Sequence, residues 1–153
     1  MRTKMRLAML FCFTVICSDS SAPVIRINQT SNAQHHNKLL FKLSDMATET
    51  APPGELIHIL GGESAGFESL SVLISETKPN SGPPRHRHAC EEAHILLAGK
   101  VEYTIGGETF VADAPYVVRI PAGEWHSFKN LGDKTINVIG IFPKSRESEV
   151  DYK

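Results

Sequence analysis

The sequence predicts an all-β sandwich or barrel, and three observations carry that expectation. Short runs rich in Val, Ile, Leu, Phe and Thr recur from Glu55 to Phe142, separated by Gly, Pro and Asn, which is the pattern of many short strands joined by turns. No internal repeat and no helical periodicity of any length interrupts them. The 153 residues suit one domain with a sizeable core and are too few for two ordinary ones.

The elements follow in order. Strands are expected over Glu55 to Leu60, Phe67 to Glu76, His86 to Leu97, Val101 to Ile105, Thr109 to Val111, Tyr116 to Ile120, Trp125 to Asn130 and Thr135 to Phe142. Gly106-Gly107 is the clearest turn, because two residues at positive φ join antiparallel strands without splaying them, so Val101 to Val111 should be a hairpin. Lys78 to Pro84 holds three prolines and a glycine, cannot continue a strand, and should deliver the residues after it to the barrel mouth. Pro52-Pro53-Gly54 opens the barrel domain, expected over 52–146. Residues 23–51 read as a polar N-terminal arm lying on the barrel, with a short apolar cluster at Leu39, Leu40, Phe41 and Leu43, and residues 147–153 read as a polar tail.

The N-terminus differs in kind. Arg2, Lys4 and Arg6 lead into an apolar run from Leu7 to Cys17, followed by Ser18, Ser20, Ser21 and Ala22, the build of a secretory signal peptide over 1–22 with cleavage after Ala22 or Ser20. The run is too short to cross a bilayer as a stable helix. The expected location is secreted or periplasmic, with no membrane attachment after cleavage. The whole chain has a formal net charge of -1, and losing Arg2, Lys4, Arg6 and Asp19, a net +2, leaves -3. Such a balance does not collect nucleic acid or anionic lipid. Cys12 and Cys17 leave with the leader, so Cys90 has no internal partner and the fold must rest on its apolar core.

The chemistry concentrates in Gly82 to Gly99. Side chains alternate across a strand with a period of two, so His86, His88, Glu92 and His94 share one parity and should all face inward together. Two imidazoles and a carboxylate converging on one point leave a metal ion needing one or two more protein ligands, with open positions for water or substrate. His126 can supply the next ligand from a neighbouring strand, after the tight turn that Pro121 and Gly123 set.

At these residues the chain resembles the cupin superfamily. Its first motif places two histidines one residue apart, a glutamate four positions after the second and a glycine seven beyond that, as His86, His88, Glu92 and Gly99 do; Pro121, Gly123, His126 and Asn130 reproduce the second. Pro115 stands where the second motif usually opens with glycine, and the first motif's leading glycine falls closer to the histidines than usual. The resemblance covers roughly Phe67 to Pro143. It implies a double-stranded β-helix, or jelly-roll, barrel and a divalent metal (Fe, Mn, Ni, Cu or Zn) on His86, His88, Glu92 and His126. It does not imply one reaction, because the superfamily spans dioxygenases, isomerases, lyases, storage proteins and ligand-binding regulators. A metalloenzyme acting on a small oxygen-bearing substrate, a dioxygenase first, is the expectation; a non-catalytic binder of a small ligand or sugar and a metal-dependent isomerase or lyase are its rivals. Pairing of two copies through outer strands is a further expectation.

Other residues carry less. His94, at a position where related sequences have an apolar or aromatic residue, reads as a catalytic proton donor or acceptor in the cavity or as a satisfied core histidine. Cys90 reads as a small buried hydrophobe before an oxidation-sensitive thiol. Arg119 and Tyr103 are candidates to line the cavity, Trp125 to pack the barrel, and His35 and His36 to be solvated. Asn28-Gln29-Thr30 is a glycosylation sequon that matters only in a eukaryotic secretory pathway.

Overall fold

A computed structural model describes residues 38–143 and 150–152; the expected signal peptide, the expected arm before Lys38, and with them His35, His36 and the sequon lie outside the described residues. Two antiparallel sheets face each other. The first has six strands in the order β1 (Ala47–Ala51), β2 (Glu55–Leu60), β3 (Leu70–Thr77), β10 (Ile136–Pro143), β5 (Glu92–Leu96) and β8 (Tyr116–Ile120). The second has five: β11 (Val150–Tyr152), β4 (His86–His88), β9 (His126–Asn130), β6 (Lys100–Ile105) and β7 (Glu108–Asp113). Sequence neighbours often sit in different sheets, which is how a jelly roll closes. A single helical turn, α1 (Gly62–Ala65), bridges β2 and β3. Among the described residues no helix is long and apolar enough to cross a membrane.

The expected arm is part of the barrel at its end: residues 47–51 pair with β2 as the edge strand of the six-stranded sheet. Leu39 and Leu40 of the expected apolar cluster face solvent. The expected tail likewise supplies a strand, because Val150, Asp151 and Tyr152 pair with His88, Arg87 and His86. Both are corrections of one kind. Backbone pairing, which apolar patterning does not report, recruited polar segments to open sheet edges.

Burial alternates along β10, where Ile136, Val138, Gly140 and Phe142 are buried and the residues between them are not. Of these, Ile136 and Val138 meet Leu96, Val101, Tyr103, Val118, Ile120 and Phe128 in one core between the sheets. Tyr103 is fully buried there, taking a hydrogen bond from the Tyr116 hydroxyl at 3.5 Å. The β6–β7 hairpin forms with Ile105 opposite Glu108, but only Gly106 has positive φ, at 60°, so the turn is of the II′ kind and not one with both residues left-handed.

The Lys78–Pro84 connection is clamped to β9. Asn80 donates to the Asn130 carbonyl at 2.9 Å and Asn130 to that of Ser81 at 2.9 Å. The Asn130 side chain donates to the carbonyls of Thr77 and Lys134 and accepts from the Gly132 N–H. Gly82 runs so close beneath this strand that a Cβ would lie 1.8 Å from the Phe128 carbonyl oxygen. This clamp sets where β4 begins.

Candidate metal centre

His86 and His126 are direct partners across β4 and β9, so their side chains share a face, and their ring centroids are 4.2 Å apart. His88, two residues on, shares that face, with its centroid 5.1 Å from His86 and 5.6 Å from His126. The chain then leaves the sheet: Ala89, Cys90 and Glu91 carry it across the barrel, and Glu92 opens β5 in the opposing sheet. One continuous strand over 86–97 is therefore corrected to two. Glu92 faces the histidines from the other wall, because it pairs with Ile120 of the core.

The three imidazoles offer nitrogen atoms that all lie within 4.8 Å of one another, a cluster that could hold a metal ion. Glu92 Oε2 is 3.4 Å from His126 Nε2 and 3.8 Å from His88 Nε2. Two outer hydrogen bonds orient the rings. His86 Nδ1 meets the Pro84 carbonyl at 2.8 Å and His126 Nδ1 meets that of Glu124 at 2.9 Å; with Nδ1 as donor, Nε2 of each ring is left with its lone pair, the arrangement metal-binding histidines adopt. The loop before β9 is held by Gly123 donating to the His88 carbonyl and Gly106 donating to that of Trp125, both at 2.8 Å.

Electrostatics sharpen the site. Burial and the neighbouring charge of His126 push the His86 imidazole down to about 4, keeping it neutral near pH 7. Burial pushes the Glu92 carboxyl up, but His94, His126 and His88 outweigh it and hold the group well below the usual carboxylate range. Glu92 Oε2 and His126 Nε2 are buried without a hydrogen-bond partner among the described residues. Orphaned atoms of this kind in a core fit a cation between them.

His94 faces inward on β5, and its Nε2 lies 2.6 Å from Glu92 Oε1. It grips the carboxylate from behind, with its ring among Tyr103, Phe128 and His126. Tyr103 is buried with its ring beside His94, whereas Arg119 points away, exposed beside Glu91 at 3.9 Å, so its candidate lining role does not stand. Cys90 is buried, and Trp125 lies under the Arg87 guanidinium, 4.9 Å from ring to carbon. A residue the sequence reading passed over is Glu55, buried on the same inner wall; its signal was an acid opening a strand of otherwise mostly apolar residues.

The family profile described as Cupin domain matches residues 73–142, from β3 to β10 and across every residue of the cluster. The segment from β3 to β10 is a cupin domain. The cupin is 25% identical over 114 residues to Auxin-binding protein 1 of Arabidopsis thaliana, an alignment covering 67% of this chain and 57% of that protein. The chain thus spans under two thirds of this curated relative. Among solved structures, the cupin resembles the polyketide cyclase RemF of Streptomyces resistomycificus at a TM-score of 0.62 with 21% identity, covering 75% of this chain and 84% of the other. It also resembles oxalate decarboxylase of Lactobacillus farciminis at a TM-score of 0.65 with 20% identity, covering 73% and 35%. At these identities the two structures speak for the jelly-roll fold.

Proposed function

We propose that this cupin is an exported, metal-dependent enzyme acting on a small oxygen-bearing molecule, with His86, His88, Glu92 and His126 as ligands of one divalent ion. The observation that carries the reading is the pair of buried, unpartnered atoms, Nε2 of His126 and Oε2 of Glu92, beside the two imidazoles of β4. Buried alone they cost free energy, and sharing a cation offsets that cost. Three neutral imidazoles and one carboxylate leave a divalent ion with residual positive charge, and a bound ion supplies Lewis acidity toward an enolate, catecholate or carboxylate. The chain's own residues do the rest: Pro84 and Glu124 orient two rings through their carbonyls, His94 holds Glu92, and Tyr103 and Phe128 keep the floor dry.

Oxygenation is the reaction class we place first, because that charge balance leaves room for both an anionic substrate and dioxygen. Export rests on the Arg2 to Cys17 pattern. Non-catalytic binding of a small molecule is the second reading, favoured by the likeness to Auxin-binding protein 1. Elemental analysis of protein purified without oxygen should find about one divalent ion per chain, and an oxygen electrode with catechol and flavonol panels should register uptake. Background uptake with metal bound overturns oxygenation and leaves binding, isomerisation or lysis; no metal overturns the whole reading.

A further inference from the structure

Glu55 opens β2 immediately after Pro52-Pro53-Gly54 and pairs with Thr77, which in turn pairs with Ile136. Directly opposed residues share a face, and Ile136 belongs to the barrel core, so Glu55 points into the barrel. It is only 5% exposed. Its Oε1 accepts a hydrogen bond from the Thr77 hydroxyl at 3.2 Å, and the Ser75 hydroxyl lies 3.2 Å from that of Thr77. Its Oε2 is buried with no partner, and no cation pairs with it, among the described residues. The metal centre does not use this group.

Its position relative to that centre is bracketed from two sides. His94 and Glu92 both act electrostatically on Glu55, the first favouring its charge and the second opposing it. On the other side Glu55 acts on Tyr152, whose ring is 6.1 Å from that of His86. Glu55 and the metal centre therefore face the same barrel interior. A second atom on the same inner wall, His94 Nδ1, is also buried and unpartnered among the described residues.

We infer that Glu55, backed by Ser75 and Thr77, is a second anchor of the site and binds a hydroxyl group of the small molecule whose other oxygen is held at the metal centre. A hydroxyl both donates and accepts, so it can satisfy an acid oxygen and an imidazole nitrogen that have no partner among the described residues, where Ser75 and Thr77 leave Oε2 unmatched. This deepens the proposed function and rests on it. It narrows the substrate class to molecules carrying an anionic oxygen and a hydroxyl some atoms away.

The test uses the full chain loaded with Co(II), whose visible absorption reports ligands at the metal, titrated with 3-hydroxypropanoate and 4-hydroxybutanoate against propanoate and butanoate. At least one hydroxy acid should bind the parent roughly tenfold tighter than its unsubstituted counterpart. Glu55→Leu should abolish that preference without changing Co(II) stoichiometry, Glu55→Gln should retain part of it, and metal-free Glu55→Leu should unfold at no lower a temperature than the parent. A preference that survives Glu55→Leu, or a Glu55→Leu chain markedly less stable than the parent, overturns the assignment by making Glu55 a bystander or a structural group. Co(II) binding with no hydroxyl preference in the parent removes the Glu55 assignment alone, whereas absence of Co(II) binding removes the metal reading and the two-point site with it.

Discussion

Gly140 is the position at which packing and metal binding are most tightly joined. It lies directly across from His94 on one side and from Leu73 on the other. A methyl group on its Cα would sit 2.8 and 2.9 Å from Cγ and Cδ1 of Leu73 and 3.0 Å from Glu92 Oε1. The backbone there is not left-handed, so the penalty of Gly140→Ala is steric only. Leu73 is half-buried and can turn away, but Glu92 is 3% exposed and tied to His94, so relief on that side requires the carboxylate to move by a few tenths of an ångström. Adding a methyl to a packed interior costs about 1–3 kcal/mol, and the yielding leucine puts this case near the lower end, about 1 kcal/mol, or roughly 3–5 °C in Tm. Displacing a ligand carboxylate should weaken metal binding by about tenfold or more. Thermal unfolding of the metal-free chain and a chelator-competition titration with Co(II) measure the two effects separately. A lowered Tm with unchanged affinity refutes the role of Glu92 as a ligand, and no change in either refutes the packing argument.

Three further outcomes follow from the same geometry. His94→Leu removes the 2.6 Å grip on Glu92 and should lower metal affinity roughly 10–100-fold with the fold retained; affinity equal to the parent's in the same titration contradicts its positioning role. Gly82→Ala would place a Cβ 1.8 Å from the Phe128 carbonyl oxygen, a backbone clash that no side chain can relieve, and should cost more than about 4 kcal/mol; a near-parental Tm would show that the clamp on β9 is looser than described. Because the folded chain depresses His86 from 6.5 to about 4, the unfolded chain takes up that proton first as pH falls. Stability of the metal-free protein should then be lost as pH drops from about 6.5 towards 4, and His86→Gln should flatten that part of the profile; parallel profiles contradict the assignment.

Much of this was legible in the chain. Apolar runs and turn residues located the barrel strands within a few residues, since a half-buried strand must alternate and a turn needs its Gly, Pro or Asn. The spacing of His86, His88, Glu92 and His126 brought together four groups that the fold does gather at one place. The parity argument reached the right facing for an incomplete reason: Glu92 lies in a different sheet from His86 and His88, and the four-residue step across Cys90 preserves inwardness by crossing the barrel. What was not legible is long-range pairing. Nothing in the composition of residues 47–51 or 150–152 distinguishes an edge strand from a tail, because the hydrogen bonds that hold them belong to β2 and β4. His94 shared the ligand parity, but parity says which wall a residue faces and not which atom it touches. The outward turn of Arg119 and the core position of Tyr103 were hidden for the same reason.

The central claim is that one divalent ion sits among three imidazoles and one carboxylate. Anomalous X-ray scattering from crystals of the metal-loaded chain tests it most directly: a single peak about 2.0–2.3 Å from Nε2 of His86, His88 and His126 and from a Glu92 oxygen is the predicted result. A peak at any other residues, or full occupancy with Glu92 turned away from the ion, would contradict it.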